Sequence, residues 1–495
     1  MEIISSIPLP EGYAAQIRRL LGEDGFAAYL RALDRPHERA LRVNLLRCSD
    51  GVPPCAIEGL GERVPWAKGA YFIEGDARPG LSPLHEGGLF YMQEPSALSA
   101  VSVLDPKPGE CVLDLCAAPG GKSTQIAALM GGRGLLVANE IVPSRAQILS
   151  RNVERMGVKN AVVTCAMPRE LAKRFPAFFD RILVDAPCSG EGMFRRQIEA
   201  RQEWTAASPR GCADRQLEIL TEAETMLAPG GTLVYSTCTF NDVENEGVLG
   251  RFLDAHPQMR LQPFALQGLP AAEKGYLHLY PHEVRGEGHF VSLLVKDKSA
   301  SHADNSGESD LHGGREADFA GVSQAHRATI SGSARRVTRT SAGKDTLSKG
   351  NGRKSRAPSG IQTLEQLADV LAPGVRFDRV AMTGGCLWSL PEGIDPDWLR
   401  GLRVLRTGLL LAREEGKRLT PDHALAMALS PKEAARCATL THEQALAYQA
   451  GEALTLGGNL PGGFTLLCCE GVPLGWGKQA GGMMKNHYPK GLRRR

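Results

Sequence analysis

The sequence contains no long apolar run. No stretch approaches about eighteen uninterrupted apolar residues, which argues against a membrane span. The opening, MEIISSIPLPEGYAAQIRRL, has no charged segment followed by an unbroken apolar one, which argues against a secretory signal. The 12 cysteines show no repeated CxxC spacing, and the adjacent pair Cys468–Cys469 is not a metal-ligand pattern. Neither a zinc site nor a disulfide framework is expected, and the thiols read as reduced and cytoplasmic. A strong charge of either sign is also missing. With a net charge of +3, any nucleic-acid binding must come from local patches rather than from a global field.

What is present is a chain of 495 residues, too long for one ordinary core, so two or three domains are expected. Residues 1–95 combine a helical pattern, AAQIRRLLGEDGFAAYLRAL, with a short strand-like run, ALRVNLLR. Residues 96–298 alternate apolar runs with helical stretches, as βαβ units do. The runs are CVLDL, GLLVANE, AVVTC, RILVDAP, GTLVYST and HFVSLLV. Several are nearly continuous, as parallel strands covered on both faces should be. Residues 299–360 are rich in Ser, Gly and charge and read as a disordered linker, acidic first and basic from Arg327 to Arg356. Residues 361–495 recover apolar periodicity and suggest a separate small domain with a core helix around ALAMAL. The fold class expected is α/β, with a doubly wound, Rossmann-like central domain.

The segment VLDLCAAPGGKSTQIAAL, residues 112–129, reads as a strand, a small-residue turn and a helix start. Gly120 and Gly121 allow a ligand to approach the backbone, and the helix offers unpaired N–H groups. A Walker loop would need glycine at Cys116, and Ala118 and Pro119 interrupt a dinucleotide fingerprint. GLLVANE ends in Glu140, placed to accept hydrogen bonds from two ribose hydroxyls, or merely to cap the following helix. Turn, acid and missing phosphate signature together suit S-adenosylmethionine, held by Cys116, Ala117, Ala118, Pro119, Gly120, Gly121, Lys122 and Glu140.

Two more turns carry chemistry. FDRILVDAPCSGEG sets Asp185 and Cys188 beyond one strand, and GTLVYSTCTFNDVENE sets Cys238 beyond another. Ligands bind outside the carboxyl ends of strands in open α/β sheets, so both thiols can face one pocket. A lone cysteine is usually a small buried hydrophobe, but two in Ser, Thr, Pro and Gly-rich turns weaken that explanation.

DLCAAPGGKST, DAPCSGEG and YSTCTFNDVENE together resemble the Sun-type family of RNA cytosine-C5 methyltransferases. The likeness runs from about residue 39 to 296, taking in YMQEPSALSA and GHFVSLLV. The ending GVPLGWGKQAGGMMKNHYPKGLRR is similar to the C-terminal, PUA-like RNA-binding domain of the bacterial small-subunit ribosomal RNA methyltransferase F subfamily. The resemblance implies a methyltransferase domain flanked by an N-terminal and a C-terminal RNA-binding region. It implies that Cys238 attacks C6 of cytosine and that Cys188 helps release the product. It also implies that Asp185 contacts the cofactor or the base edge and that Lys122 reaches the base. The family commonly has an acid after its third strand to bind the adenine amine. Here Ala166 and Met167 stand there, and Met167 is the expected apolar contact. Asp180, a nearby acid, is expected only to begin the next strand.

The expected partner is RNA, foremost 16S ribosomal RNA or the small ribosomal subunit, with no metal and a monomeric chain. Arg39, Arg42, Arg47, Arg195 and Arg196 read as solvated charges beside the site. The ending KNHYPKGLRRR interleaves cations with Tyr488 and suits backbone attraction plus stacking. His282 and His289 read as structural. Competing readings are a transfer RNA methyltransferase, a DNA cytosine-C5 methyltransferase and a non-catalytic ribosome-assembly factor. The DNA enzyme is disfavoured by the Thr-Cys turn, and the inert factor by the intact pair of thiols.

Overall fold

The computed structural model describes residues 8–299, 365–416, 418–457 and 460–494. The expected linker, 299–360, falls almost wholly outside the described residues.

The N-terminal region begins with a helix, Tyr13–Leu33, broken at Gly22, whose φ is 71°. It continues into an antiparallel sheet of β1 (Ala40–Val43), β2 (Leu60–Arg63), β3 (Ala70–Ile73) and β4 (Phe90–Gln93), ordered β2-β3-β1-β4.

The apolar runs of the centre become β5 (Cys111–Asp114), β6 (Leu135–Asn139), β7 (Ala161–Thr164), β8 (Phe179–Asp185) and β9 (Leu227–Thr237). β10 (Met259–Leu261), β11 (Tyr276–Leu279) and β12 (His289–Lys296) follow. β5 pairs in parallel with both β6 and β8, β6 with β7, and β8 with β9. β12 instead runs antiparallel to β9, so HFVSLLV is not one of the parallel strands.

Alternate strand residues feed opposite faces. Leu113, Val137, Ile182 and Leu233 pack with Leu220 and Ala223 of the helix Ser208–Met226. Val112, Leu136, Leu183 and Val234 pack with Ile126, Leu149 and Val153 on the other face. Covering both faces is what makes near-continuous apolar strands pay no solvation penalty.

The described residues from 365 onward pair and pack with the rest of the chain. They begin with β13 (Val380–Thr383) and β14 (Cys386–Ser389), but β15 (Val404–Thr407) leaves to pair antiparallel with β7. The central sheet thus runs β10-β12-β9-β8-β5-β6-β7-β15, with β11 on β12. β16 (Leu409–Glu415) and β17 (Arg418–Pro421) complete a sheet with β13 and β14. β18 (Cys437–Thr439), β19 (Gly463–Cys469), β20 (Val472–Ala480) and β21 (Met483–Asn486) form the last sheet. Its Leu467, Leu474 and Tyr488 share a core with Leu41, Tyr71 and Phe90 of the N-terminal sheet. The ALAMAL stretch forms the helix His423–Ala428, with Ala424 to Met427 all buried.

Candidate active site

The strand order reverses around β5, whose neighbours are β6 and β8. β5, β6, β8 and β9 are parallel, so their carboxyl ends lie along one edge, and the turns carrying Cys116–Gly121, Glu140, Cys188 and Cys238 follow them there. Beyond β5, Ala117 donates its N–H to Asn139 O at 2.8 Å, which ties the turn to the end of β6. Gly120 has φ of +110°, and a Cβ there would meet Leu149 Cδ1 at 3.2 Å. Asn152 Nδ2 donates to Pro119 O at 2.8 Å. Glycine at 120 thus lets the turn lie flat on the helix Pro143–Arg155 and present its backbone outward. The helix Gly121–Leu129 starts at once, and Ser123 Oγ donates to Asp114 Oδ2 at 2.6 Å. Asp114 Oδ1 is buried without a partner among the described residues. Burial pushes this carboxyl up to about 7.

Glu140 follows β6 and is buried. Its Oε1 accepts the Val142 N–H at 2.9 Å, so it does cap the next turn. Its Oε2 lies 3.3 Å from Arg145 Nη1, and Arg145 Nη2 donates to Ala118 O at 3.0 Å. A ribose diol would compete with half-exposed Arg145 for that oxygen. Met167, Ile141 and Val142 are exposed apolar residues near the same edge. The Met167 N–H is capped by Glu170 at 2.7 Å, leaving the thioether free of the helix cap.

Asp185 ends β8 as the hub of a polar cluster. Lys122 Nζ donates to its Oδ2 at 2.7 Å, and Ser236 Oγ to its Oδ1 at 2.9 Å. Lys122 is therefore bound to Asp185 in the structure. Burial alone would raise the Asp185 carboxyl, but Lys122 and the Ser236 hydroxyl bring it below the usual carboxylate range. His289, read as structural from the sequence, lies with Nε2 3.6 Å from Asp185 Oδ1. That nitrogen is buried without a hydrogen-bond partner among the described residues. Burial pushes the ring down to about 3, so it is neutral at ordinary pH.

The two thiols meet. Cys188 Sγ and Cys238 Sγ are 3.2 Å apart, although 50 residues separate them. The hydrogen bond with Cys238, together with burial, holds the Cys188 thiol well above its ordinary value. The turns that carry them are built on two buried carboxyl groups. Glu191 accepts from Phe240 N at 3.0 Å, Gln16 Nε2 at 2.9 Å and Trp204 Nε1 at 3.2 Å. Gly192 N donates to Cys238 O at 2.8 Å. Glu244 Oε2 accepts from Ser189 N at 3.1 Å and from Gln216 Nε2 at 2.8 Å, and Gln216 also donates to Pro187 O at 3.0 Å. Glu191 and Glu244 sit inside the quoted motifs GEG and VENE. Nothing in their linear context distinguishes them from solvated acids, since only the fold buries them.

The basic residues beside the site behave differently from the sequence reading. Arg42 is buried and donates to Thr124 Oγ1 at 2.9 Å and Gly121 O at 3.2 Å. Arg195 is buried against Glu287 at 2.8 Å. Arg47 donates to Met427 O at 2.7 Å, and Arg39 to Ala77 O at 2.8 Å. Four of the five are staples between segments, because each finds buried carbonyl or carboxylate oxygens that need a donor. Arg196 alone of the five is exposed. Tyr488 is likewise no stacking platform: it is buried edge-on against His423 and Tyr448. Arg495 lies outside the described residues. Asp180 accepts from Cys111 N at 2.9 Å within the sheet, away from adenine duty.

Sheet order, glycine turn and converging motifs define a Rossmann-like methyltransferase. The family model described as 16S rRNA methyltransferase RsmB/F matches residues 101–295. Models for the N-terminal domain of 16S rRNA methyltransferase RsmF, the RsmF first C-terminal domain and the RsmF PUA domain match 9–95, 366–429 and 435–494. Ribosomal RNA small subunit methyltransferase F of Erwinia tasmaniensis is 31% identical, over 99% of this chain and 98% of its own. The protein of the same name from Escherichia coli O17:K52:H18 is 31% identical over 98% and 97%. The solved NSun6 of Pyrococcus horikoshii, 23% identical, shares the fold with a TM-score of 0.50 over 58% of this chain and 98% of that one. The chain belongs to the ribosomal RNA small subunit methyltransferase F family.

Proposed function

We propose that the chain transfers a methyl group from S-adenosylmethionine to C5 of a cytosine in small-subunit ribosomal RNA. The observation that carries this reading is the pair of sulfurs, 3.2 Å apart, beside the Lys122–Asp185 pair. The relatives' names support the RNA substrate. The cofactor fits the residues present. Gly120 keeps the turn open, Glu140 offers one carboxylate oxygen engaged only by half-exposed Arg145, and Met167 gives an apolar surface for adenine. When bound, the cofactor supplies an electrophilic methyl group.

Cytosine C5 is a weak nucleophile until something adds at C6. Cys238, its proton lost to solvent, forms a bond from sulfur to C6, and the electron pair of the C5–C6 double bond becomes available at C5. Asp185, held as a carboxylate by Lys122, accepts a hydrogen bond from the base edge and fixes its angle to the sulfur. After methylation solvent water takes the C5 proton, the C5–H electron pair restores the double bond, and the Cys238–C6 bond breaks with its pair left on sulfur. Cys188, a protonated thiol in contact with Cys238, donates its proton to the departing sulfur and is reprotonated from solvent. The target base must be unstacked first, which suits a loop or strained helix position.

Incubation of in vitro transcribed 16S ribosomal RNA with labelled donor tests this. Cys238→Ala is expected to transfer no methyl, and Cys188→Ala to accumulate a denaturant-resistant protein–RNA adduct. Full activity in Cys238→Ala would overturn the assignment.

A further inference from the structure

Two thiols in contact can exchange roles unless their surroundings differ, and here they do. Lys122, on the helix after β5, lies within electrostatic reach of Cys238. Glu244 lies within electrostatic reach of Cys188. The carboxyl of Glu244 is attached to the Cys188 turn itself, because Ser189 N donates to its Oε2 at 3.1 Å. Gln216 ties the same oxygen at 2.8 Å to Pro187 O at 3.0 Å, and Tyr235 Oη orients Gln216 through a 2.9 Å hydrogen bond. Ser189 Oγ and Thr239 Oγ1, 2.8 Å apart, then join this turn to the one bearing Cys238. Glu244 Oε1 is buried without a partner among the described residues.

We propose that Glu244 is the positioning residue that makes the two thiols unequal, seating the Cys188 turn on the Cys238 turn and keeping the Cys188 sulfur protonated until Cys238 departs. This rests on the division of labour proposed above. A carboxylate facing a thiol opposes formation of a second negative charge, so the proton stays on Cys188. The groups facing Glu244 are Cys188 and Ser189 of the turn, Gln216 and Cys212 of the helix Ser208–Met226, Tyr235 of β9, and Glu191. None is a cation that would cancel its charge. Burial pushes the carboxyl up to about 7, so it is ionised over the pH range in which a thiol titrates.

The test uses the full-length chain carrying Cys238→Ser, which leaves Cys188 as the sole sulfur of the pair. Iodoacetamide labelling of the Cys188 peptide is followed by mass spectrometry at pH 8. Glu244→Gln, which keeps an oxygen acceptor for Ser189, should speed labelling by about threefold or more, while Glu244→Asp should leave it slow. Unchanged labelling in Glu244→Gln, or equal acceleration in both, overturns the proposal. If the Gln variant does not fold, the Cys238→Ser protein with Glu244 intact supplies the answer. Between pH 6 and 8 its labelling rate should rise less than tenfold per pH unit, because Glu244 ionises in the same window, and a full tenfold rise overturns it. With Cys238 restored, Glu244→Gln should accumulate several-fold more adduct on 16S ribosomal RNA. Absence of adduct in Cys188→Ala as well would point instead to failure of the methyl-transfer reading, leaving the labelling result standing.

Discussion

Gly192 donates its backbone N–H to the carbonyl of Cys238 at 2.8 Å, so the turn after β8 holds the turn after β9 by its main chain. The contact is close enough that a Cβ on Gly192 would sit 2.9 Å from Cys238 O and 3.0 Å from Gly288 O. Both are backbone atoms that cannot rotate away.

Gly192→Ala should therefore displace the Cys238 turn without removing any catalytic group. Methyl transfer to 16S ribosomal RNA is expected to fall about a hundredfold, the cost of a misplacement near 1 Å. Donor binding, set by the turn after β5, should stay within about twofold by calorimetry. A variant with normal turnover would show that the contact does not govern the thiol's position.

Glu140 offers one oxygen to Arg145 and the other to Val142 N–H. If the ribose binds there, Glu140→Ala should raise the KM for S-adenosylmethionine about tenfold or more, the value of a lost hydrogen bond to a charged acceptor. The kcat at saturating donor should change little. A Glu140→Ala enzyme with an unaltered donor KM would restrict this residue to capping.

Asp114 gives a pH signature. Its folded value of about 7 lies above its ordinary 3.8, so its stabilising contribution is complete below about pH 4 and is lost as pH rises through about 7. Asp114→Asn has no such loss. The melting temperature of the Asn variant relative to the natural chain should therefore climb by a few degrees between pH 5 and pH 8. A constant offset across that range would show that Asp114 does not titrate with folding.

The carboxyl ends of the strands were legible in the sequence because parallel buried strands write themselves as apolar runs. The turns after them stand out as clusters of small, polar and glycine residues. That is how residues 112–129, Asp185, Cys188 and Cys238 were found. The arginines misled because a positive side chain looks the same in sequence whether it meets water or, like Arg42 and Arg195, a buried carbonyl or carboxylate oxygen. Tyr488 misled for the matching reason: an aromatic between cations reads the same whether it faces solvent or, as here, a core shared by two sheets.

The sequence by itself determined the alternating order of strands and helices, the glycine that opens the turn after β5, and the chemical groups at each strand end. These are local matters, decided by side-chain volume, backbone freedom and period. Only the tertiary structure decided that Cys188 and Cys238 touch, that His289 lies beside Asp185, and that Glu191 and Glu244 are buried supports rather than surface acids. Those relationships depend on β9 pairing beside β8 and β12 beside β9, and pairing is a property of the sheet that no single stretch of chain carries.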